Sequence, residues 1–133
     1  MSIRKQLTVY LENKPGQLAK LCKAIANNKV NILAISVVDT VDTGAVRLVV
    51  DNIAKASSAL KKLGLLIHIR DVLAINCANK LGVLAKVAGK LSKAGVNIDY
   101  AYGSVGKNSK EAMCVFSVFD PKKADKILKT IIK

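Results

Sequence analysis

The sequence predicts an α+β protein. It is two tandem βαββαβ modules, each an antiparallel sheet with helices on one face, the second copy lacking its last strand. Three observations predict this. The chain repeats itself at a fixed offset, each repeat carries both strand-like and helix-like apolar periods, and turn formers separate the periods. Residue n aligns with n+66 without a gap. Asn13-Lys14-Pro15-Gly16-Gln17-Leu18-Ala19-Lys20 falls on Asn79-Lys80-Leu81-Gly82-Val83-Leu84-Ala85-Lys86, and Val30-Asn31-Ile32 falls on Val96-Asn97-Ile98. Leu7 and Val9 match Leu73 and Ile75, and Leu21 and Ile25 match Val87 and Leu91.

The elements follow in order. Leu7, Val9 and Leu11 alternate with polar or aromatic residues, as a half-buried strand does. Glu12-Asn13-Lys14 reads as a turn, with Pro15 at a first helical position, where its missing N–H costs nothing. Leu18, Leu21, Cys22 and Ile25 form one helical stripe. That helix is expected to end near Asn28, and its counterpart at Gly95, since both residue types tolerate the left-handed C′ conformation. Val30 to Val38 and Ala45 to Val50 form a hairpin around the turn formers of Asp39 to Gly44. Asp51 can cap a second helix, whose stripe is Ala56, Ala59, Leu60 and Leu63. Gly64 closes it, and Leu65 to Ile69 is a fourth strand. Two helices on one face of an antiparallel sheet is the ferredoxin-like arrangement.

The second copy repeats the order with Val72 to Cys77, a helix from Leu81 to Ala94, and strands Val96 to Ser104 and Ala112 to Phe119. Asp120-Pro121 opens the last helix, with stripe Ala124, Ile127, Leu128 and Ile131. No fourth strand follows, so module 1 spans 1–69 and module 2 spans 70–133. The strand from Val72 to Cys77 is then left with an open edge, and open edges are usually covered. One long strand from Leu65 to Cys77, serving both copies, is a candidate solution.

Composition narrows the function classes. No run of 18 or more apolar residues exists to span a membrane. The first residues lack the apolar stretch of a signal peptide, so the cytoplasm is the expected compartment. Cys22, Cys77 and Cys114 and the single His68 have no zinc-ligand spacing, and the cysteines read as small buried apolar residues. The formal net charge is +13, which can signal nucleic acid or an anionic surface. The bases are nearly all lysine and are spread along the sequence, so solvated lysine faces are expected instead. No metal and no cofactor is expected.

The strongest local signal is the strand–turn–helix junction at Asn13-Lys14-Pro15-Gly16-Gln17-Leu18 and its echo. A helix N-terminus offers free N–H donors and a partial positive charge, which suits a carboxylate or phosphate. Glycine lets a ligand approach the backbone, and asparagine offers both donor and acceptor. The plainer alternative is that the asparagine caps the helix and the glycine relieves a tight turn. Asn31 and Asn97 open the second strands, near the far end of the first helix of their own module. A site using both asparagines therefore needs two modules side by side.

The string Asn-Lys-Pro-Gly-Gln-Leu, an apolar-striped helix, and then Val-Asn-Ile resembles the ACT domain family, and the second copy resembles it too. The resemblance runs from Leu7 to Ile131. It implies a regulatory module that binds an amino acid between paired modules. The implied site is Asn13, Pro15, Gly16, Gln17, Leu18, Asn31 and Ile32 in the first copy, and Asn79, Gly82, Val83, Leu84, Asn97 and Ile98 in the second. Leu81 stands where the family usually has proline, and Lys29 where it usually has glycine.

Competing functions fare worse on the residues. An RNA-recognition domain has the same element order but stacks bases on aromatics of its first and third strands. Ala45 to Val50 has no aromatic, and in the other third strand Cys114, Phe116 and Val118 share a face. Catalysis needs paired titratable groups or an activated nucleophile, yet the acids fall mostly in turns and caps and His68 has no sequence-near partner. No enzyme activity, nucleic acid or membrane is expected. The expected partners are an amino acid and a second copy in a homodimer; the alternative is a regulatory subunit of an amino-acid biosynthetic enzyme, as the small subunit of acetohydroxyacid synthase is. The homodimer follows from residues expected to look away from the helices: Thr8, Tyr10, Leu33, Ile35, Val37, Val49, Ala74, Val115 and Phe119.

Overall fold

The computed structural model describes residues 3–39, 43–78, 80–105 and 110–129. Its elements are β1 (Ile3–Glu12), α1 (Gln17–Asn27), β2 (Ile32–Asp39), β3 (Thr43–Val50), α2 (Ile53–Lys62), β4 (Leu66–Ala78), α3 (Val83–Lys93), β5 (Ile98–Val105), β6 (Glu111–Val118) and α4 (Pro121–Leu128). The chain forms two compact units. One runs from Lys5 to Arg70, and the other takes the chain from Asp71 onward together with Ile3 and Arg4.

The unit from Lys5 to Arg70 has the strand order β2-β3-β1-β4. Antiparallel pairing sets Leu7 against Leu48 and Val9 against Val46. Those four side chains face the helices and join Leu21, Ile25, Ala56 and Leu60 in one buried cluster. The stripes of α1 and α2 thus land where their spacing placed them. Gly64 closes α2 at φ 76°. The end of α1 differs from expectation. Asn28 has φ −94°, and the left-handed residue is Lys29 at φ 58°.

The other unit repeats the plan with β4-β6-β5. Leu73 pairs with Phe116, and Ile75 with Cys114. Phe116 is fully buried among Leu73, Ile75, Val87, Leu91 and Leu128. Among the described residues no strand follows α4. β4 runs unbroken from Leu66 to Ala78, and β1 is its neighbour. The first described residues of β1 belong to this unit, and Ile3 packs on its core. The first described residues of β1 thus join this unit beside β4. Ile131 and part of the β2–β3 and β5–β6 turns lie outside the described residues.

The set expected to look outward is corrected in two ways. A bulge between Ile32 and Ala34 resets the alternation of β2, so Ile35 and Val37 align with the core-facing Leu48 and Val46. They remain exposed, at 42% and 52%. Thr8, Val49 and Val115 are buried rather than open. Phe119 lies just past the end of β6 and is almost fully exposed.

Ile3→Ala is expected to lower the unfolding free energy by about 1–2 kcal/mol, as a half-buried aliphatic contact warrants. Arg4→Ala, at an exposed neighbour, should stay within about 0.5 kcal/mol. Equilibrium urea denaturation of both variants reads the difference.

Candidate functional site

Both repeats pass from strand to helix in the same way. The Lys14 carbonyl accepts a hydrogen bond from the Gln17 amide at 3.3 Å, and Gly16 stands at φ 87°, ψ −12°. In the second copy the Lys80 carbonyl accepts from Val83 at 3.5 Å, with Gly82 at φ 81°, ψ −4°. This is a type II β-turn, which takes proline at its second position and glycine at its third. Pro15 is accordingly a turn residue, not the first residue of α1, and Gly16 is the residue that precedes the helix. The glycine is needed for its conformation, because left-handed backbone costs other residues roughly 1–2 kcal/mol. The space above it is open: a β-carbon on Gly16 or Gly82 would meet nothing within 4 Å.

Among the described residues no side chain caps α1 or α3. The other two helices are capped in the ordinary way. Asn52 Oδ1 accepts from the Lys55 amide at 3.1 Å, and Asp120 Oδ1 from the Lys123 amide at 3.1 Å. The reading of Asn13 as a helix cap therefore fails. Its side chain is exposed and makes no hydrogen bond among the described residues. Asn79 lies outside the described residues. The glycine turns thus bring α1 and α3 to their first amides without a capping side chain, with the positive end of the helix dipole facing outward.

Charge differs between the two turns. Lys14 Nζ lies 2.9 Å from Glu12 Oε2, and both side chains are exposed. Their hydrogen bond, and then their mutual charge, hold the Glu12 carboxyl below and the Lys14 ammonium above their usual values. Such an exposed pair contributes little to stability. Ala78 stands where Glu12 would be in the second copy, so Lys80 has no equivalent partner.

The second asparagines sit just before β2 and β5. The Asn31 amide donates to Asp51 Oδ1 at 2.9 Å, and the Asp51 amide donates to the Asn31 carbonyl at 3.1 Å. This reciprocal pair uses the Asp51 carboxylate, and it is Asn52, not Asp51, that caps α2. Asn97 Nδ2 donates to Asp99 Oδ1 at 3.3 Å, whereas Leu33 occupies the matching position in the first copy.

The predicted site residues are not gathered within one unit. Asn13 and Asn31 flank α1, whose 11 residues separate its ends by roughly 16 Å. Leu18 and Leu84 are exposed, Pro15 is exposed, and Gln17 is half-buried. Ile32, Ile98 and Val83 pack against the two cores. Beneath the first turn, Leu11, Gln17, Lys20, Leu21, Leu63 and Leu65 line a cavity of about 30 Å³. That is room for water, not for an amino acid.

The motif, its duplication and the matching turns find their counterpart among known proteins. Residues 1–132 match the family described as ACT domain pair. The chain belongs to that family. A Bacteroides thetaiotaomicron protein of known crystal structure is 36% identical, with a TM-score of 0.89 over 97% of this chain and 88% of its own. The ACT fold is shared at lower identity by the ligand-free regulatory subunit of aspartate kinase from Thermus thermophilus. That structure is 16% identical, with a TM-score of 0.74 over 100% of this chain and 95% of its own. The corresponding subunit from Thermus flavus is also 16% identical, with a TM-score of 0.60 over 100% of this chain and 98% of its own. No curated protein matches the sequence.

Among the described residues no cluster of three or more histidines, cysteines or acids could hold a metal ion, and no helix is long and apolar enough to cross a membrane. All three cysteines are free, with Cys77 buried and Cys22 and Cys114 half-buried. Burial first, then the charge and hydrogen bond of Cys114, push the Cys77 thiol up to about 11.

Sequence reasoning missed the type II turn, although Pro-Gly is its signature. Two expected outcomes follow from the local geometry. Gly16→Ala should cost about 1–2 kcal/mol, while Lys29→Gly should gain about 0.5–1 kcal/mol, the relief of left-handed strain less the added chain entropy. Thermal denaturation of the pair checks both signs. Cys77 should react with iodoacetamide at about pH 8 on the order of a hundred-fold slower in the folded than the unfolded chain, because only the thiolate attacks. Peptide mapping after timed labelling measures the ratio.

Proposed function

We propose that this ACT domain pair is a non-catalytic regulatory protein that senses a free amino acid at the interface of paired modules. The observation that carries the proposal is the pair of glycine turns, each leading into a helix that no side chain caps among the described residues. Ordinary helices spend a side chain on those amides, and α2 and α4 do so. A ligand carboxylate can take the place of the missing cap. An asparagine beside it can hold the ligand's ammonium and carboxylate.

The opposite ends of α1 hold Asn13 and Asn31, so one ligand meets both kinds of asparagine only where two modules pair. We assign the pairing to a homodimer in the cytoplasm. Ligand binding favours one packing of modules over another, and only differential affinity drives such a switch. The output then passes to another chain.

A second reading makes the chain a regulatory subunit of an amino-acid biosynthetic enzyme. The observation in its favour is that the fold spans 95% of the Thermus thermophilus aspartate kinase regulatory subunit. An enzyme of that type fits the neighbours better than acetohydroxyacid synthase, the partner type considered from sequence.

The test is a thermal-shift screen against the twenty amino acids at millimolar concentration. A ligand at 100 times its dissociation constant stabilises by about 2.7 kcal/mol. A rise in melting temperature with one or a few related amino acids, lost in Asn13→Ala, is the expected outcome. No rise with any of them defeats the free-standing sensor and leaves the subunit reading, in which a partner completes the site.

A further inference from the structure

The lysines that look scattered in sequence are segregated by the fold. The four helices carry eleven, two on α1 and three on each of the others, and every one is exposed. Their only acid is Asp125, which is buried. Across the six strands, by contrast, Lys5 is the single lysine, and five acids are present. None of the helix lysines forms an ion pair among the described residues.

An ordinary solvated helix interleaves both signs, because opposite charges one turn apart support it and like charges oppose it. Here Lys86 and Lys90 sit one turn apart on α3, with Lys93 a further turn along. The row is roughly 10 Å long. No acid on α3 offsets its self-repulsion, and only Lys90 and Lys93, in the last turn, are favoured by the helix dipole.

We infer that the helix face of each unit binds the phosphate backbone of duplex nucleic acid, without regard to sequence. A duplex carries one negative charge per roughly 1.7 Å of axis, so a single row spans several charges. The residue types decide against other anionic partners. Protein interface cores favour arginine and aromatics and deplete lysine, and the four helices contain no arginine and no aromatic. A membrane-surface helix needs large apolar residues opposite its lysines for insertion, but the apolar stripes of these helices are used on the cores. The lack of aromatics leaves no group on which bases could stack, and lysine meets a phosphate as a point charge. This surface is distinct from the glycine turns and does not depend on the amino-acid reading.

The test is fluorescence anisotropy with a labelled mixed-sequence duplex of roughly 20 base pairs, at about 50 and 200 mM salt. Binding is expected at the lower salt and should weaken on the order of a hundred-fold at the higher, for about four phosphate contacts. Two charge-matched variants locate the surface. Lys86→Glu/Lys90→Glu should weaken binding about tenfold or more, and Arg4→Glu/Lys110→Glu, which changes net charge equally away from the helices, about twofold or less. Circular dichroism confirms that both variants fold. Equal weakening by the two variants, no binding at the lower salt, or equal affinity for polyglutamate of matched charge would each overturn the inference. The last result would point to an acidic protein instead.

Discussion

Everything in this chain depends on closing a core over one face of a small sheet. A module of about 65 residues buries only about 60% of its unfolded surface, so each apolar position on that face matters. The register of β1 against β3 places Leu7 and Val9 opposite Leu48 and Val46, and α1 and α2 seal them with Leu21, Ile25, Ala56 and Leu60. The second unit solves the same problem with Phe116 as its largest buried side chain. It also packs Ile3, the first residue of β1, on its core.

The same need for compactness explains the turns. A strand must reverse into a helix within a few residues, and the left-handed glycine allows it without a side chain. At the other two helix starts the chain uses Asn52 and Asp120. Thus the helices that follow the glycine turns carry no capping side chain among the described residues, while those that follow the hairpins each carry one. A structural economy at Gly16 and Gly82 leaves an electrostatic feature available to a ligand. The cost of the conformation is carried by glycine alone, which is why the residue type recurs in both copies.

Most of the fold could be read from periodicity, because the stripes at Leu21 and Ile25, Val87 and Leu91, and the alternation of Leu7, Val9 and Leu11 report burial directly. The errors cluster where period gives no information. The bulge at Ile32–Ala34 changes parity by one residue and so reverses the assignment of Ile35 and Val37. Asp51 and Asn52 are equally good caps by residue type, and only the reciprocal bonds to Asn31 decide between them. Lys29 adopts a conformation that sequence rules give to Asn28. The site was legible as a pair of turns. Its assembly was not, since Asn13 and Asn31 lie at opposite ends of α1 and no local pattern records which modules meet. Charge was the hardest to read, because a spread of lysines along the chain becomes a segregated layer only once the helices share one side of each sheet.

Ile3 carries one further consequence, for history rather than chemistry. A duplicated module that keeps all its strands can be lost, swapped or fused elsewhere as a cassette. Here the core of the C-terminal copy takes in Ile3, a residue of the first copy's own first strand. A cut at Arg70 would part Ile3 from the core on which it packs. The border between the repeats in sequence is thus not the border between the units in space.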